Sequence, residues 1–149
     1  MSGLTLPHGQ SAMEFITLNE LRRAHDRIRP FINRTPIIQN DYFSKRLSEL
    51  VGHDICVHFK CELFQPTGSF KLRGATNGIM QAIAKCPSIC GIATRSSGNH
   101  GAAVAYIARK LNLNSAIVVS EDISKAKIAN ITTNGGEIIK IQSKQIYML

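Results

Sequence analysis

The feature that most constrains the fold is an alternation of short apolar runs with helix-like segments between residues 90 and 141. The apolar runs have the length of buried strands, and the segments between them have the length and spacing of helices. Strands that alternate with helices predict a parallel sheet with right-handed crossovers. The predicted strands are 90–94, 115–119 and 137–141, and the predicted helices between them are 99–111 and 123–134.

The chain before this sheet begins with a helix signal. Thr17 and Glu20 have the spacing of a capping box, in which each side chain bonds the other residue's backbone N–H. Apolar residues then recur at helical spacing as far as Ile32, and Pro30 ends or kinks the helix. Residues 34–36 are expected to form an extended turn.

Three further elements are predicted before residue 90. Residues 41–50 have a helical pattern that stops at Gly52, and residues 54–60 alternate as a strand does. Ser69 is the expected N-cap of a third helix that runs to about Ile83.

Composition favours a globular intracellular protein. The chain is 44% hydrophobic and 19% charged, and its apolar runs are too short for a membrane helix. Residues 1–15 lack the basic and apolar regions of a secretory signal, so we expect a flexible tail over residues 1–16 and a cytoplasmic location. The net charge of +8 is spread along the chain without an aromatic-interleaved basic stripe, which argues against a nucleic-acid partner. Positive potential also suits an enzyme for anionic substrates.

The four cysteines predict neither disulfides nor a metal site. They are sparse for a secreted scaffold, and Cys86 and Cys90 flank a proline at a spacing that is not typical of zinc ligands. We expect reduced thiols that pack as small apolar groups, and no metal ion.

The first candidate functional motif is Q-P-T-G-S-F-K-L-R-G-A at residues 65–75. Lys71 lies at the predicted start of a helix, where the macrodipole disfavours a cation by up to ~1 kcal/mol. Only a neutral amine attacks a carbonyl, so this position suits imine chemistry. By residue type alone, a surface lysine is the simpler interpretation.

The second candidate motif is S-S-G-N-H-G at residues 96–101, between a predicted strand and a helix. Backbone N–H groups at such a turn bind anions, and ligands of open α/β sheets lie at the carboxyl ends of strands. The turn therefore predicts a site for a phosphate or a carboxylate, with an ordinary helix cap as the alternative.

Together the two motifs resemble those of fold-type-II pyridoxal-phosphate enzymes, in the serine/threonine dehydratase and serine racemase family. The stretch F-K-C-E before the first motif is also similar, and the resemblance extends from about residue 17 to residue 141. It implies an incomplete α/β fold of the tryptophan synthase beta-like type. Residues 17–83 would be the N-terminal part of a large domain, and residues 84–149 a truncated small domain with a parallel, three-layer αβα arrangement.

The resemblance also implies a role for individual residues. Lys71 would form the Schiff base with pyridoxal 5'-phosphate and act as a general base. Ser97 would be the second acid/base in a racemase, and Arg73 would make structural hydrogen bonds or an ion pair. The remaining roles are cofactor binding by Phe70 and Asn99, and binding of the substrate carboxylate by Ser96, Ser97, Asn99 and His100.

The implied activity is removal of ammonia from L-serine or L-threonine. Serine racemase is one alternative, and a non-catalytic fragment that acts only by association is another. Racemase-like members often carry a lysine where this chain has Pro66, and proline supplies no cation, which favours a dehydratase. The family's glycine-rich phosphate loop is expected later than residue 149. We therefore expect a truncated form that is not a competent catalyst alone, and a homodimer for the full-length form.

Overall fold

The computed structural model describes residues 16–142, so most of the predicted N-terminal tail lies outside the described residues. Two short 3₁₀ turns, Arg29–Phe31 and Glu62–Phe64, accompany five helices and five strands in the described part. These elements are α1 Leu18–Ile28, β1 Ile37–Gln39, α2 Asp41–Val51, β2 His58–Lys60, α3 Lys71–Lys85, β3 Gly91–Arg95, α4 Asn99–Lys110, β4 Asn114–Ser120, α5 Lys125–Thr133 and β5 Glu137–Ile141.

The predicted parallel sheet is confirmed. Its strand order is β3-β4-β5, and both pairings are parallel. The central strand β4 alternates buried and half-buried residues, and its Ile117 lies opposite Thr94 of β3 and Ile138 of β5. The alternation gives the sheet one face that is packed and one that is more open.

Helices α4 and α5 cover the same face of this sheet. The fully buried Ile117 packs in one core with Ala105 of α4 and Ile131 of α5. The described helices therefore supply the layer on this face, whereas Ile139, whose side chain points the other way, is 42% exposed. The fold class is the expected one, a mixed α/β fold with a parallel sheet, and the described residues contain its sheet and one of the expected helical layers.

Helix α4 is the centre of the core. Seven of its twelve residues are buried, because α3 packs on one side of it and the sheet on the other. Leu72 and Ile79 of α3 join Val104 and Ile107 of α4 in one cluster. The predicted domain boundary between residues 83 and 84 lies within the last turn of α3, and the boundary itself stays a prediction.

The N-terminal region contains a second sheet that the sequence did not predict. Strands β1 and β2 pair antiparallel, with Ile37 opposite Lys60. The strand expected over residues 54–60 is shorter than predicted because two serines of α2 take its backbone donors. The Ile55 N–H donates to Ser48 Oγ at 2.8 Å, and the Val57 N–H donates to Ser44 Oγ at 2.9 Å.

Most of the predicted helix boundaries are confirmed. Thr17 and Glu20 form the capping box, α1 ends before Pro30, and Gly52 ends α2 in the left-handed conformation. The prediction for Ser69 is wrong. The N-cap of α3 is Phe70, which makes no side-chain cap bond, and Ser69 Oγ has no hydrogen-bond partner among the described residues.

Helix α5 begins two residues later than predicted. The expected range began at residue 123, but the helix starts at Lys125 because Ser124 is its N-cap and accepts from the Lys127 N–H.

The cysteines are only partly as expected. All four are free thiols, but only Cys61 is buried, so the prediction that they pack as small apolar groups is wrong for Cys56, Cys86 and Cys90. Among residues 16–142, no three or more His, Cys, Asp or Glu side chains are grouped as metal ligands would be. A search of the same residues finds no helix with the length and apolar character to span a membrane.

Candidate active site

Lys71 is the first residue of α3 and projects into solvent. The loop before it turns at Gly68, whose φ of 72° lies in the left-handed region that glycine adopts readily. The Gly68 N–H donates to the Gln65 carbonyl at 2.8 Å, which closes this turn. The Lys71 Nζ atom lies 4.7 Å from the centroid of the Phe70 ring, which is itself 58% exposed. The amine is therefore accessible to a carbonyl compound in solution.

The first turn of α3 is tied to the preceding segment by an ion pair. Arg73 donates from Nε and Nη2 to the two carboxylate oxygens of Glu62, at 2.8 and 2.7 Å. The Arg73 guanidinium lowers the pKa of Glu62 to about 2, and hydrogen bonds from Thr35 and Gln65 act in the same direction. The same contact raises the pKa of Arg73. The prediction that Arg73 makes a structural ion pair is confirmed.

Glu62 is the main residue that sequence reasoning missed. In the sequence it stands out only as the end of the F-K-C-E stretch. Its ion pair with Arg73, eleven residues later, joins the two ends of the motif loop. The sequence signal that could have identified Glu62 is its charge, three residues before the motif that begins at Gln65.

The second motif lies at the carboxyl end of β3, as predicted. The Ser96 N–H still donates to the Val118 carbonyl of β4 at 3.2 Å, and the Gly98 N–H donates to Ser96 Oγ at 3.3 Å. Ser96 and Ser97 are half-buried, whereas Asn99 and His100 are exposed at the first turn of α4. The N-cap of α4, Gly98, makes no side-chain cap bond.

Gly101 allows the first turn of α4 to lie close against Ser96 and strand β4. A Cβ atom at this position would lie 2.4 Å from the Ser96 carbonyl oxygen and 3.0 Å from Ile117 Cγ2. Only glycine lets the helix approach its own strand so closely. A cavity of about 350 Å³ opens beside the turn. It is lined by the turn residues Ser96, Ser97 and Gly98 and by the ends of β3 and β4.

The two motifs begin two helices that pack against each other. Leu72 follows Lys71 directly and shares a core with Ala103, which lies four residues after Asn99. The separation between the Lys71 amine and the turn at residues 97–99, expected to be roughly 10 Å, stays a prediction.

The residues present fit a cofactor with a carbonyl and an anionic group. Lys71 offers an exposed amine, and the turn before α4 offers backbone donors of the kind that bind anions. The hydroxyls of Thr67 and Ser69, in the Lys71 loop, are buried and have no partner among the described residues. An exposed lysine at the start of α3 and a strand-to-helix turn at the start of α4, on two helices that pack together, are what the class of fold-type-II pyridoxal-phosphate enzymes leads one to expect.

Comparison with known proteins identifies the family. The family model for pyridoxal-phosphate-dependent enzymes matches residues 28–147. The chain belongs to this family, whose cofactor is pyridoxal 5'-phosphate.

Individual relatives include racemases and a dehydratase. The chain is 37% identical to the serine racemase of Dictyostelium discoideum over 131 residues. This matched stretch covers 88% of this chain and 38% of the relative. It is 37% identical over 126 residues to a beta-hydroxyaspartate dehydratase of Paracoccus denitrificans, covering 85% and 38%. A solved pyridoxal 5'-phosphate-dependent aspartate racemase superposes with a TM-score of 0.81 at 32% identity, covering 91% of this chain and 41% of that one. The chain thus spans little more than a third of the length of these proteins.

Proposed function

We propose that this chain supplies the amine and the carboxylate-binding turn of an enzyme that uses pyridoxal 5'-phosphate to remove ammonia from L-serine or L-threonine. The observation that carries the proposal is the exposed Lys71 amine at the first residue of α3, within a loop whose two ends are fixed by the Glu62–Arg73 pair. The similarity to a dehydratase and to racemases of small amino acids supports this substrate class.

Lys71 has two tasks in this proposal. Its amine would hold the cofactor covalently and, when free, would remove the α-proton of the substrate as a general base. When bound, pyridoxal 5'-phosphate draws electrons from Cα and so makes that proton removable. Phe70, whose ring already lies beside Lys71, packs against the cofactor ring.

The turn of the second motif holds the substrate carboxylate. Asn99 and His100 are exposed at the first turn of α4, where backbone donors and the helix dipole favour an anion. Ser96 and Ser97 add hydroxyl donors from the half-buried side of the turn. Asn99 also donates to the phenolic oxygen of the cofactor in this proposal.

Serine racemase is the second candidate, and the position of Ser97 favours it. By the family resemblance, its hydroxyl would return a proton to Cα from the face opposite Lys71. Loss of the β-hydroxyl as water, followed by hydrolysis of the C–N bond by a second water, instead yields a 2-oxo acid and ammonia. Pro66, which offers neither a cation nor an N–H, favours this elimination.

The proposal is tested by locating the cofactor on the chain. The protein is mixed with pyridoxal 5'-phosphate, reduced with borohydride and mapped by mass spectrometry. We expect the adduct on Lys71 in preference to Lys85, an exposed lysine at the other end of the same helix. Lys71→Ala should remove this adduct and, in a complete version of the protein, nearly all turnover, with Lys85→Ala as the matched control. Equal labelling of the two lysines would contradict the assignment of Lys71.

Product analysis separates the two candidate reactions. L-serine and L-threonine are supplied to the protein, and 2-oxo acid and D-serine are measured together. Oxo acid in excess supports the ammonia-lyase, and D-serine in excess supports the racemase. We expect at most slow turnover from the 149-residue chain alone, since it spans little more than a third of its relatives.

Three further expectations belong to the complete enzyme. We propose that it is a homodimer, that it works in the cytoplasm, and that its chain divides into residues 17–83 and 84–149 as parts of a large and a small domain. Sedimentation, cell fractionation and limited proteolysis test these in turn.

A further inference from the structure

The Glu62 carboxylate is the most completely bonded side chain in the N-terminal region. Its Oε1 atom accepts from Thr35 Oγ1 at 2.6 Å and from Arg73 Nη2 at 2.7 Å. Its Oε2 atom accepts from Arg73 Nε at 2.8 Å and from Gln65 Nε2 at 3.2 Å. Four donors use the whole accepting capacity of an ionised carboxylate, so its orientation is fixed.

The four bonds join three separate stretches of chain. Thr35 precedes β1, Gln65 lies in the loop before α3, and Arg73 lies in the first turn of α3. Gln65 extends the connection, because its side chain accepts from the Asn33 N–H at 2.9 Å and donates to the Asn33 carbonyl at 3.0 Å. The loop that carries Lys71 is therefore anchored at both of its ends.

Within residues 16–142, the first turn of α3 is otherwise held by the packing of Leu72, which is fully buried, and has few other side-chain hydrogen bonds. Phe70 provides no side-chain cap, and Ser69 Oγ has no partner there. The ends of helices fray unless side chains hold them, and Lys71 is the first residue of this helix. Arg73, two residues further on, is the point at which this end is held by a bidentate ion pair.

We propose that Glu62 is a positioning residue for Lys71, acting through Arg73 on the first turn of α3 and through Gln65 on the preceding loop. The proposal rests on the proposed function, in which Lys71 binds the cofactor. Glu62 touches neither cofactor nor substrate in this role. It fixes the helix start from which the amine projects, and small displacements of a reacting group reduce rates strongly.

The environment of the pair keeps it ionised at neutral pH. Arg73 lines a cavity together with further basic residues, and its guanidinium is the largest cause of the low pKa of Glu62. The groups that face this cavity are His25, Arg29, Arg34, Lys60 and Arg73. The pKa of Glu62 is lowered and that of Arg73 is raised by their contact, so the pair stays ionised at neutral pH.

The test compares Glu62→Gln with Glu49→Gln. Both remove one carboxylate charge from an ion pair with arginine, but the Arg46–Glu49 pair is exposed and lies within α2. Two quantities are measured for each variant. One is amide hydrogen exchange in residues 66–73 relative to α4, and the other is the ratio of reduced pyridoxal 5'-phosphate adduct on Lys71 to that on Lys85.

We expect Glu62→Gln to speed exchange in residues 66–73 and to lower the Lys71:Lys85 ratio by about tenfold or more, the size of effect seen when a supporting residue is removed. Glu49→Gln should change neither quantity. Arg73→Lys keeps the charge but loses the bidentate geometry, so it should give an intermediate ratio. This milder variant also provides the measurement if Glu62→Gln does not fold.

The possible failures are distinguishable. A high ratio in the parent chain that Glu62→Gln leaves unchanged, despite faster exchange, overturns the positioning role and leaves Lys71 as the cofactor lysine. A parent ratio near one overturns the proposed function itself. A fall in the ratio without any change in exchange would also contradict positioning, because it would show an effect that does not act through the loop.

Discussion

Residues 71–142 bury their apolar side chains around α4, whereas residues 16–70 leave most of their large apolar side chains in solvent. Ile107, Ile117 and Ile131 of the first region are at most 1% exposed. In the second region the buried residues are mainly polar: Thr35, Gln65, Thr67 and Ser69, beside Ile28 and Cys61. Leu50 of this region is 80% exposed and Tyr42 is 70% exposed.

The difference shows that the two regions are held together by different forces. Apolar packing stabilises the sheet and its helices, and it is largely insensitive to pH and salt. The N-terminal region depends more on the hydrogen bonds that converge on Glu62, since a two-stranded sheet such as β1–β2 is marginal without cover. Lys71 lies where the two regions meet, so its backbone is packed on one side and held by polar contacts on the other.

The largest effect is expected from a cavity in the packed region. Ile117→Ala should destabilise the protein by about 2–5 kcal/mol, because the side chain is fully buried between the sheet and two helices. Ile38→Ala, at a half-exposed position in β1, is the matched control and should cost less than about 1 kcal/mol. Urea unfolding measures both. Equal losses would show that the two regions do not differ in packing.

A smaller loss of stability is expected from Gly101→Ala, in the packed region of residues 71–142. Gly101→Ala places a Cβ atom 2.4 Å from the Ser96 carbonyl, and the turn must open at a cost of about 1–3 kcal/mol. Gly78→Ala in α3 meets nothing within 4 Å and should stabilise the helix by about 0.5–1 kcal/mol. Thermal unfolding of both variants should show shifts of opposite sign. A stabilised Gly101→Ala would mean that the helix does not lie against its strand.

Acid should destabilise residues 16–70, whose buried side chains are mainly polar, before it affects residues 71–142. The folded pKa of Glu62 is about 2, below its usual 4.5, so its ionised form stabilises the fold above pH 4.5. That contribution is lost as the pH falls from 4.5 towards 2, and we expect about 1–2 kcal/mol after allowance for solvent screening. Amide exchange as a function of pH should show residues 62–73 loosening before α4. In Glu62→Gln this acid-dependent step should be absent, and its persistence would assign it to another group.

The smallest effect is expected at the exposed apolar surface. Leu50→Lys on α2 should change the stability by no more than about 0.5 kcal/mol, because the leucine is 80% exposed. It should nevertheless reduce self-association measured by light scattering, since it removes part of an apolar surface. A large loss of stability would show that Leu50 is covered in solution.

The parallel sheet was predictable because strands β3, β4 and β5 carry their own local signals. Each is a short apolar run between helical segments, and the sequential strand order follows from short crossovers. The start of the second motif was predictable for the same reason, since it follows directly on β3.

Strand β1 and the role of Glu62 were not predictable from local pattern. Ile37–Gln39 is three residues long, its sequence shows no apolar alternation, and it is a strand because β2 lies beside it. Ser69 had the residue type of an N-cap, but the Glu62–Arg73 pair holds the helix start instead. Both cases depend on contacts between residues far apart in sequence, which spacing alone does not reveal.

The burial of α4 between α3 and the sheet has a consequence for the order of folding. Its contacts with β3 and β4 join it to the elements directly before and after it in the chain, and contacts of short sequence separation form with the least loss of chain entropy. Pairing of β1 with β2 instead requires closure of the longer segment that contains α2. Folding should therefore begin around α4, so that Val104→Ala slows refolding whereas Phe59→Ala mainly speeds unfolding. The strand-to-helix turn at residues 96–98 would then form before the Lys71 loop is held in place.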